Sequence, residues 1–188
     1  MLLASTAFFN CTEGTNGDVP SEITRTDIDS VVKALRGNSA NSFLSGIEGE
    51  NRFGTSPVRD AYFLLGHTDM IGQLDAVSGW TPKWSYPNQQ STLDAEWGSV
   101  GNIRALLSPV GSETPNGSAL GATVMNNFVV AREAYAAIEQ DGASASFLYR
   151  PPIFDGPLAM NVSVGYRFAE AVVLQKDAWV FNLRCTAA

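Results

Sequence analysis

GTSPVRDAYFLLGHTDMIGQL, from Gly54 to Leu74, is the stretch that decides the fold. Its apolar segment, Ala61 to Gly66, is short and bounded by turn-forming residues, which predicts a strand buried on both faces. A polar corner follows, and Thr68 is the predicted cap of a short amphipathic helix that ends at Gly79. A buried strand that turns directly into a helix indicates a fold that mixes both kinds of element.

The best-defined helix lies upstream of this stretch. Its apolar residues recur at the spacing of one helical face, and they are Ile28, Val31, Val32 and Leu35. Thr24 or Thr26 can cap the N-terminus, and Asp27 lies favourably in the first turn. Gly37 then supplies a stop. These features predict a helix of about three turns.

The C-terminal third is the clearest β region. Apolar and polar residues alternate from Trp179 to Cys185 and again from Val162 to Phe168, which is the period of a strand. The phase slips near Ala169, which predicts a bulge, and Lys176-Asp177 is the predicted turn between these long antiparallel strands. Further strands are predicted at Ile103 to Leu107, Phe128 to Ala131, Tyr135 to Ile138 and Ser144 to Tyr149. The order helix, strand, helix and then mostly strands predicts an α+β fold.

Three segments have weaker patterns. Glu96 to Gly101 is predicted to be a glycine-containing bend. Ser108 to Ala122 has few hydrophobic residues and many of the residues typical of turns, which predicts a mobile surface loop. Met1 to Cys11 has no positively charged start and only a short apolar run, so we expect the end of a helix or a buried strand and no signal peptide.

Composition excludes several classes of protein. A length of 188 residues with 45% hydrophobic residues is enough for one domain, with or without a lobe. The net charge of −7 and the scattered 12 basic residues argue against an extended phosphate-binding face. No apolar run approaches the roughly 20 residues that cross a bilayer. Cys11 and Cys185 lie near opposite ends, so two free thiols are expected, and a single bridge between them is left open.

Residues able to do chemistry are sparse. His67 is the only histidine, and no Gly-x-Ser-x-Gly motif presents a serine to it, so a local hydrogen-bonding role is expected. One histidine and two distant cysteines do not make a convincing zinc site. Asp94 and Glu96 could act as paired carboxylates in glycoside hydrolysis, although any acidic chain offers such pairs. No catalytic, cofactor-binding or metal-binding residue is predicted.

Aromatic residues cluster between positions 80 and 97. They are Trp80, Trp84, Tyr86 and Trp97. Aromatic side chains serve as sugar-stacking platforms, as covers over a core and as anchors at protein interfaces. The sequence leaves these three roles open.

Several motifs follow one another in a fixed order. They are the Gly54–Asp69 stretch, Trp84-Ser-Tyr86, Glu96-Trp-Gly98-Ser-Val-Gly101-Asn-Ile103-Arg104, and Asp155-Gly-Pro-Leu158 before Val164-Gly165-Tyr166-Arg167. In this order and spacing, the chain resembles the major capsid proteins of tailed bacteriophages, in particular their N4-like branch. The resemblance extends over about residues 20 to 186, and it departs from the family at Ala95, where a glycine is usual.

The resemblance implies a fold and a set of structural positions. The fold is the tailed-phage capsid (Johnson) fold, with residues 1–188 as a single α+β domain made of the axial domain and part of the peripheral domain. Residues 1–20 would be a remnant of the family's spine helix and loop, so we expect the chain to be a C-terminal portion. The family-like positions are Gly54, Pro57, Arg59, Asp60, His67, Asp69, Tyr86, Glu96, Gly98, Gly101, Arg104, Asp155 and Gly165.

The resemblance also implies a function. It predicts a structural subunit, not an enzyme, that associates with copies of itself into an icosahedral shell enclosing the genome. Its location would be the virion, and the host cytoplasm during assembly, with portal, scaffold or decoration proteins as further candidate partners. The resemblance implies no specific binding to nucleic acid, no association with a membrane and no cofactor. Two other functions are left open, a carbohydrate- or host-binding module that uses the Trp80–Trp97 aromatics and a hydrolase that uses acidic residues.

Overall fold

In the computed structural model, the described residues are 8–43, 61–86, 92–115, 117, 121–139, 146–151, 162–167 and 170–186. They belong to two compact units, Met1–Ala134 with Lys176–Ala188, and Tyr135–Gln175. The assignment of all 188 residues to one domain stays a prediction. No helix in the described ranges has both the length and the apolar character needed to cross a membrane.

Strands dominate both units. In chain order they are β1 (Phe8–Thr12), β2 (Thr15–Asn16), β3 (Tyr62–His67), β4 (Thr81–Pro82), β5 (Glu96–Val100), β6 (Ile103–Ser108), β7 (Ser112–Thr114), β8 (Val124–Val130), β9 (Tyr135–Glu139), β10 (Ser146–Arg150), β11 (Ser163–Arg167), β12 (Glu170–Leu174) and β13 (Val180–Thr186). The helices are α1 (Arg25–Gly37) and α2 (Ile71–Ala76), with 3-10 turns at Thr68–Met70, Lys83–Ser85 and Asp177–Trp179.

The first unit is built on a nine-stranded sheet. Its strand order is β2-β1-β13-β8-β3-β6-β5-β4, and β7 pairs with β8 beside this path. Two of the pairings are parallel, β1 with β13 and β3 with β6, and the others are antiparallel. Because residues opposite each other share a face, the register places one apolar layer on a single face, and it includes Leu64, Ile103, Val129 and Leu183, all almost fully buried. The core of the first unit therefore lies against this face.

The predicted upstream helix is confirmed as α1, and its start is tied to the first strands. Thr24 is the N-cap, and its hydroxyl accepts a hydrogen bond from the Asp27 N–H while the Asp27 carboxylate accepts one from the Thr24 N–H at 3.0 Å. The buried Asp27 carboxylate also accepts hydrogen bonds from the N–H groups of Thr12, at 3.2 Å, and Gly14, at 2.7 Å. One side chain therefore joins the helix start to the turn between β1 and β2.

We expect Asp27→Ala to lower the free energy of unfolding by about 2–3 kcal/mol, because it removes the Asp27 half of the capping box and leaves the N–H groups of Thr24, Thr12 and Gly14 without this acceptor. Urea denaturation followed by circular dichroism measures the change. Asp29→Ala is the matched control, since Asp29 is an exposed partner of Arg25 on the same helix and such pairs contribute about 0.3–0.5 kcal/mol. Equal losses in the two variants would contradict this role for Asp27.

The prediction of a bend at Glu96 to Gly101 is wrong, because residues 96–100 form strand β5. The turn of the β5–β6 hairpin follows, and Gly101 adopts a φ of 55° there. A Cβ atom at Gly98 would lie 2.6 Å from Trp80 Cζ2. The two glycines that indicated a bend therefore serve a hairpin turn and a close aromatic contact.

Three further predictions need correction. The predicted loop Ser108 to Ala122 contains strand β7, whose Thr114 hydroxyl accepts a hydrogen bond from Asn126 Nδ2 at 2.9 Å, so polar side chains are paired within the sheet. The residues around Lys176-Asp177 do not join a hairpin, since β12 pairs with β9 whereas β13 pairs with β8 and β1. The described part of the N-terminal segment begins with strand β1, which is the strand alternative and not the end of a spine helix.

Candidate self-association surface

The corner after β3 is organised by its histidine. His67 Nδ1 accepts a hydrogen bond from the Asp69 N–H at 3.1 Å, so His67, and not the predicted Thr68, caps the following turn. Because Nδ1 accepts, we assign the proton to Nε2, which lies 3.1 Å from the Pro109 carbonyl oxygen and donates to it. The corner therefore fixes the end of β3 to the turn after β6. Asp69 Oδ2 lies 3.4 Å from the same Nδ1, so the described contacts of the ring are local to this corner, and they support a structural role.

A buried ion pair joins β5 to β6. Arg104 Nε donates to Glu96 Oε1 at 2.8 Å, and Arg104 Nη2 donates to Glu96 Oε2, so the contact is bidentate. The Tyr86 hydroxyl donates to Glu96 Oε1 at 3.0 Å, and the Leu93 N–H donates to Oε2 at 3.1 Å. The Glu96 side chain is fully buried, so three of the predicted family-like positions form one closed cluster.

The electrostatics of this cluster hold the carboxylate in its charged form. Burial by itself raises the pKa of Glu96, but the hydrogen bonds from Arg104 and Leu93 and the charge of Arg104 outweigh it and leave the pKa below its usual value. Burial raises the pKa of Tyr86 to about 12. A carboxylate that accepts four hydrogen bonds inside the protein has no lone pair directed at a substrate. The arrangement therefore supports a structural role and offers no support for a hydrolase at Glu96.

The aromatic residues of the 80–97 segment are divided among different contacts. Trp84 and Trp97 form an edge-to-face pair with ring centroids 5.6 Å apart, and Trp84 is 63% exposed. Trp97 Nε1 donates to Asp75 Oδ1 at 2.9 Å. Tyr86 instead bonds to Glu96, and Trp80 lies against Gly98. The structure thus brings together two of the four aromatics, and it gives no support for a sugar-stacking platform built from all of them.

The remaining predicted positions fall into two groups. Gly165 lies on β11 opposite Leu148, and a Cβ atom there would meet no other atom within 4 Å, so packing does not require glycine. Gly54, Pro57, Arg59, Asp60, Asp155 and the predicted bulge at Ala169 lie outside the described residues. In the described part of the chain, no group of three or more His, Cys, Asp or Glu side chains is placed to hold a metal ion.

The surface that sequence analysis missed lies in the second unit. Strands β10 and β11 pair antiparallel, with Phe147 opposite Tyr166 and Tyr149 opposite Val164. These four side chains share one face, which we call the aromatic face, and their exposed fractions are 70%, 74%, 57% and 62% in that order. Arg150 and Arg167 lie on the other face of the same pair of strands. The strand pair therefore has one apolar face and one mixed face, on which Leu148 lies with the two arginines, and both faces are exposed.

The second strand pair of this unit also exposes apolar side chains, although Val172 and Val173, as neighbours along β12, lie on its opposite faces. β9 pairs antiparallel with β12, and Tyr135, Val172 and Val173 are all exposed there. An isolated two-stranded ribbon is marginally stable in water, and exposed apolar patches mark sites of association. The signal was present in the sequence as period-two alternation in β11, whereas β10 has three consecutive large residues, Phe147 to Tyr149. Only the pairing register shows that the aromatics converge on one face.

Comparison with known proteins shows the fold. No protein-family model and no curated protein sequence matches the chain. The capsid of Ralstonia phage GP4 matches with a TM-score of 0.65 and 13% identity, over 98% of this chain and 53% of that chain. The capsid of Helicobacter pylori bacteriophage KHP30 matches with a TM-score of 0.56 and 12% identity, over 97% and 62%.

The head structure of Helicobacter pylori bacteriophage KHP40 also matches, with a TM-score of 0.53 and 10% identity over 91% of this chain and 61% of that chain. The chain thus spans between about half and three fifths of each matched chain. The predicted α+β fold is confirmed, while the N4-like branch stays a prediction. The chain has the fold found in these phage capsid and head structures.

Proposed function

We propose that the protein is a structural subunit of a phage icosahedral capsid, which associates with copies of itself to enclose a genome. The observation that carries the proposal is the likeness to the capsid of Ralstonia phage GP4 over 98% of the chain, at a TM-score of 0.65. Its location is then the virion, after assembly in the host cytoplasm. Portal, scaffold or decoration proteins are further partners under this proposal, and membranes are not.

The aromatic face supports the proposal because it offers a contact for another subunit. Four large apolar side chains share it, and such aromatic anchors dominate the energy of protein interfaces. We assign a second copy of this chain as the occupant. Arg150 and Arg167 lie on the opposite face of the strand pair, so they would contribute to a separate contact with another copy of the acidic chain, whose net charge is −7.

The same net charge predicts how the subunit interacts with the enclosed genome. A shell protein with a charge of −7 and no run of basic residues offers few contacts to phosphate groups. We therefore propose that the subunit binds nucleic acid neither tightly nor specifically, so that raising the salt concentration leaves its weak DNA affinity almost unchanged.

Negative-stain electron microscopy of the complete gene product, together with sedimentation velocity, tests the proposed function. Regular shells, or closed rings that sediment as large particles, support it. A monodisperse monomer at high protein concentration overturns it. Glycan binding that is abolished by Trp84→Ala would instead favour the carbohydrate-binding alternative, for which the exposed Trp84 is the single favourable observation.

A further inference from the structure

The two cysteines of the chain meet inside the first unit. β1 and β13 pair in parallel, with Phe9 opposite Leu183 and Asn10 opposite Arg184. The next residues along the two strands are Cys11 and Cys185, and both are fully buried as free thiols. Neighbouring strands lie about 4.7–4.9 Å apart, which is within the roughly 4.4–6.8 Å between Cα atoms that a disulfide spans.

The surroundings of the pair are buried, and they keep the Cys11 sulfur protonated. Asn127 Nδ2 donates to Cys185 Sγ at 2.9 Å, and Cys185 Sγ lies 3.5 Å from Met70 Sδ. A hydrogen bond with the Cys185 thiol, together with burial, raises the pKa of Cys11 far above its usual range. Thiols in this state react slowly with oxidants as long as the strands stay closed.

We propose that Cys11 and Cys185 are an oxidative modification site, at which an intramolecular disulfide joins the first and last strands of the sheet. The inference rests on the register of β1 and β13 and does not depend on the proposed function. The oxidant we assign is a small-molecule disulfide such as oxidised glutathione. It is the chemical class that thiol–disulfide exchange requires.

The disulfide forms in two steps of thiol–disulfide exchange. The thiolate of one cysteine attacks a sulfur of oxidised glutathione, forms a mixed disulfide and releases one glutathione, which takes up the proton that the cysteine lost. The second cysteine then attacks the protein sulfur of the mixed disulfide and releases the second glutathione with its proton. The two cysteines are thereby oxidised, and one glutathione disulfide is reduced to two thiols.

The position of β1 near the edge of the sheet gives the oxidant access to the two thiols. β1 is separated from the sheet edge only by the two-residue strand β2, so it can open while the rest of the sheet remains paired. The bond would close a ring that contains almost the whole chain, and large rings restrict the unfolded state most strongly. We therefore expect the oxidised protein to be more stable than the reduced protein.

The experiment treats the protein with oxidised glutathione at dilute protein concentration, with urea added in steps below the unfolding midpoint. Thiols are then counted in denaturant, and the intact mass and a proteolytic digest locate the bond. We expect the loss of both thiols, a monomer lighter by two hydrogen atoms and a peptide linking Cys11 to Cys185. The oxidised monomer should melt about 5–10 °C higher than the reduced one.

The main experiment uses the wild-type chain, which has two cysteines, so its result does not depend on whether a variant folds. Cys11→Ser under the same treatment should retain one thiol or its glutathione adduct and show no rise in Tm. Two unreacted thiols after the treatment would overturn the proposal. So would oxidation that yields linked dimers in place of the monomer, or an oxidised monomer with a Tm at or below the reduced value.

Discussion

We expect Arg104→Met to lower the free energy of unfolding by about 3–5 kcal/mol, because it removes one partner of a buried ion pair and leaves the other charge buried without compensation. Glu96 is fully buried and its carboxylate would keep only the Tyr86 and Leu93 donors. Methionine retains an apolar stem that reaches about as far as arginine Nε, so the loss is mainly that of the compensating charge and its two hydrogen bonds. Urea denaturation at pH 7 measures the change.

The double variant Glu96→Gln with Arg104→Met is the control, since it removes both charges and should recover a large part of the loss. The pH dependence gives a second check. The pKa of Glu96 in the folded protein lies below its ordinary value of 4.5, so its stabilising contribution is present above pH 4.5 and disappears as the pH falls through the folded value. A loss below 1 kcal/mol at pH 7 would contradict this account of the cluster.

Phe147→Asp combined with Tyr166→Asp should weaken self-association by more than about 100-fold, because each of these aromatic anchors contributes about 2 kcal/mol or more if it lies at the centre of an interface. The two side chains are directly opposite each other on the aromatic face, so the variant places two charges at one point of the contact. Light scattering over a concentration series and the yield of shells of the complete gene product measure the effect.

Val110→Asp is the matched control for this variant. Val110 is 89% exposed and lies in the turn after β6, which belongs to the first unit, whereas the aromatic face belongs to the second. The control should associate like the wild type, and circular dichroism should show that both proteins keep their strands. Unchanged association of the double variant would remove the aromatic face from the proposal, whereas the capsid fold and the shell test would still stand.

The sequence predicted most elements where the side-chain pattern is local. α1 has a capping residue, an apolar stripe and a stop, and all three depend on neighbours within one or two turns. β3 and β13 are likewise visible as an apolar run and as alternation. These signals also suffice for the α+β class, because fold class depends on the order of the elements and not on how they pair.

Pairing was the part that the sequence did not reveal. The turn predicted at Lys176-Asp177 assumed that consecutive strands pair, but β13 lies between β8 and β1, which come from distant parts of the chain. The convergence of Phe147 with Tyr166 likewise depends on register, which a single sequence does not specify. Glu96 and Arg104 were predicted through the family resemblance, and their ion pair became visible only with the β5–β6 register.

The place of the last strand has a consequence for biosynthesis. β13 occupies an interior position of the sheet, between β8 and β1, although its residues are synthesised after those of the other described strands. Until β13 has been synthesised, the strand position between β1 and β8 is empty, and the backbone N–H and C=O groups of β1 and β8 on that side remain unpaired. Such long-range pairing makes folding slow, and nascent chains with unpaired strand edges are prone to aggregate. Folding of this sheet in the cell is therefore expected to be completed only after β13 has left the ribosome, and to benefit from chaperones.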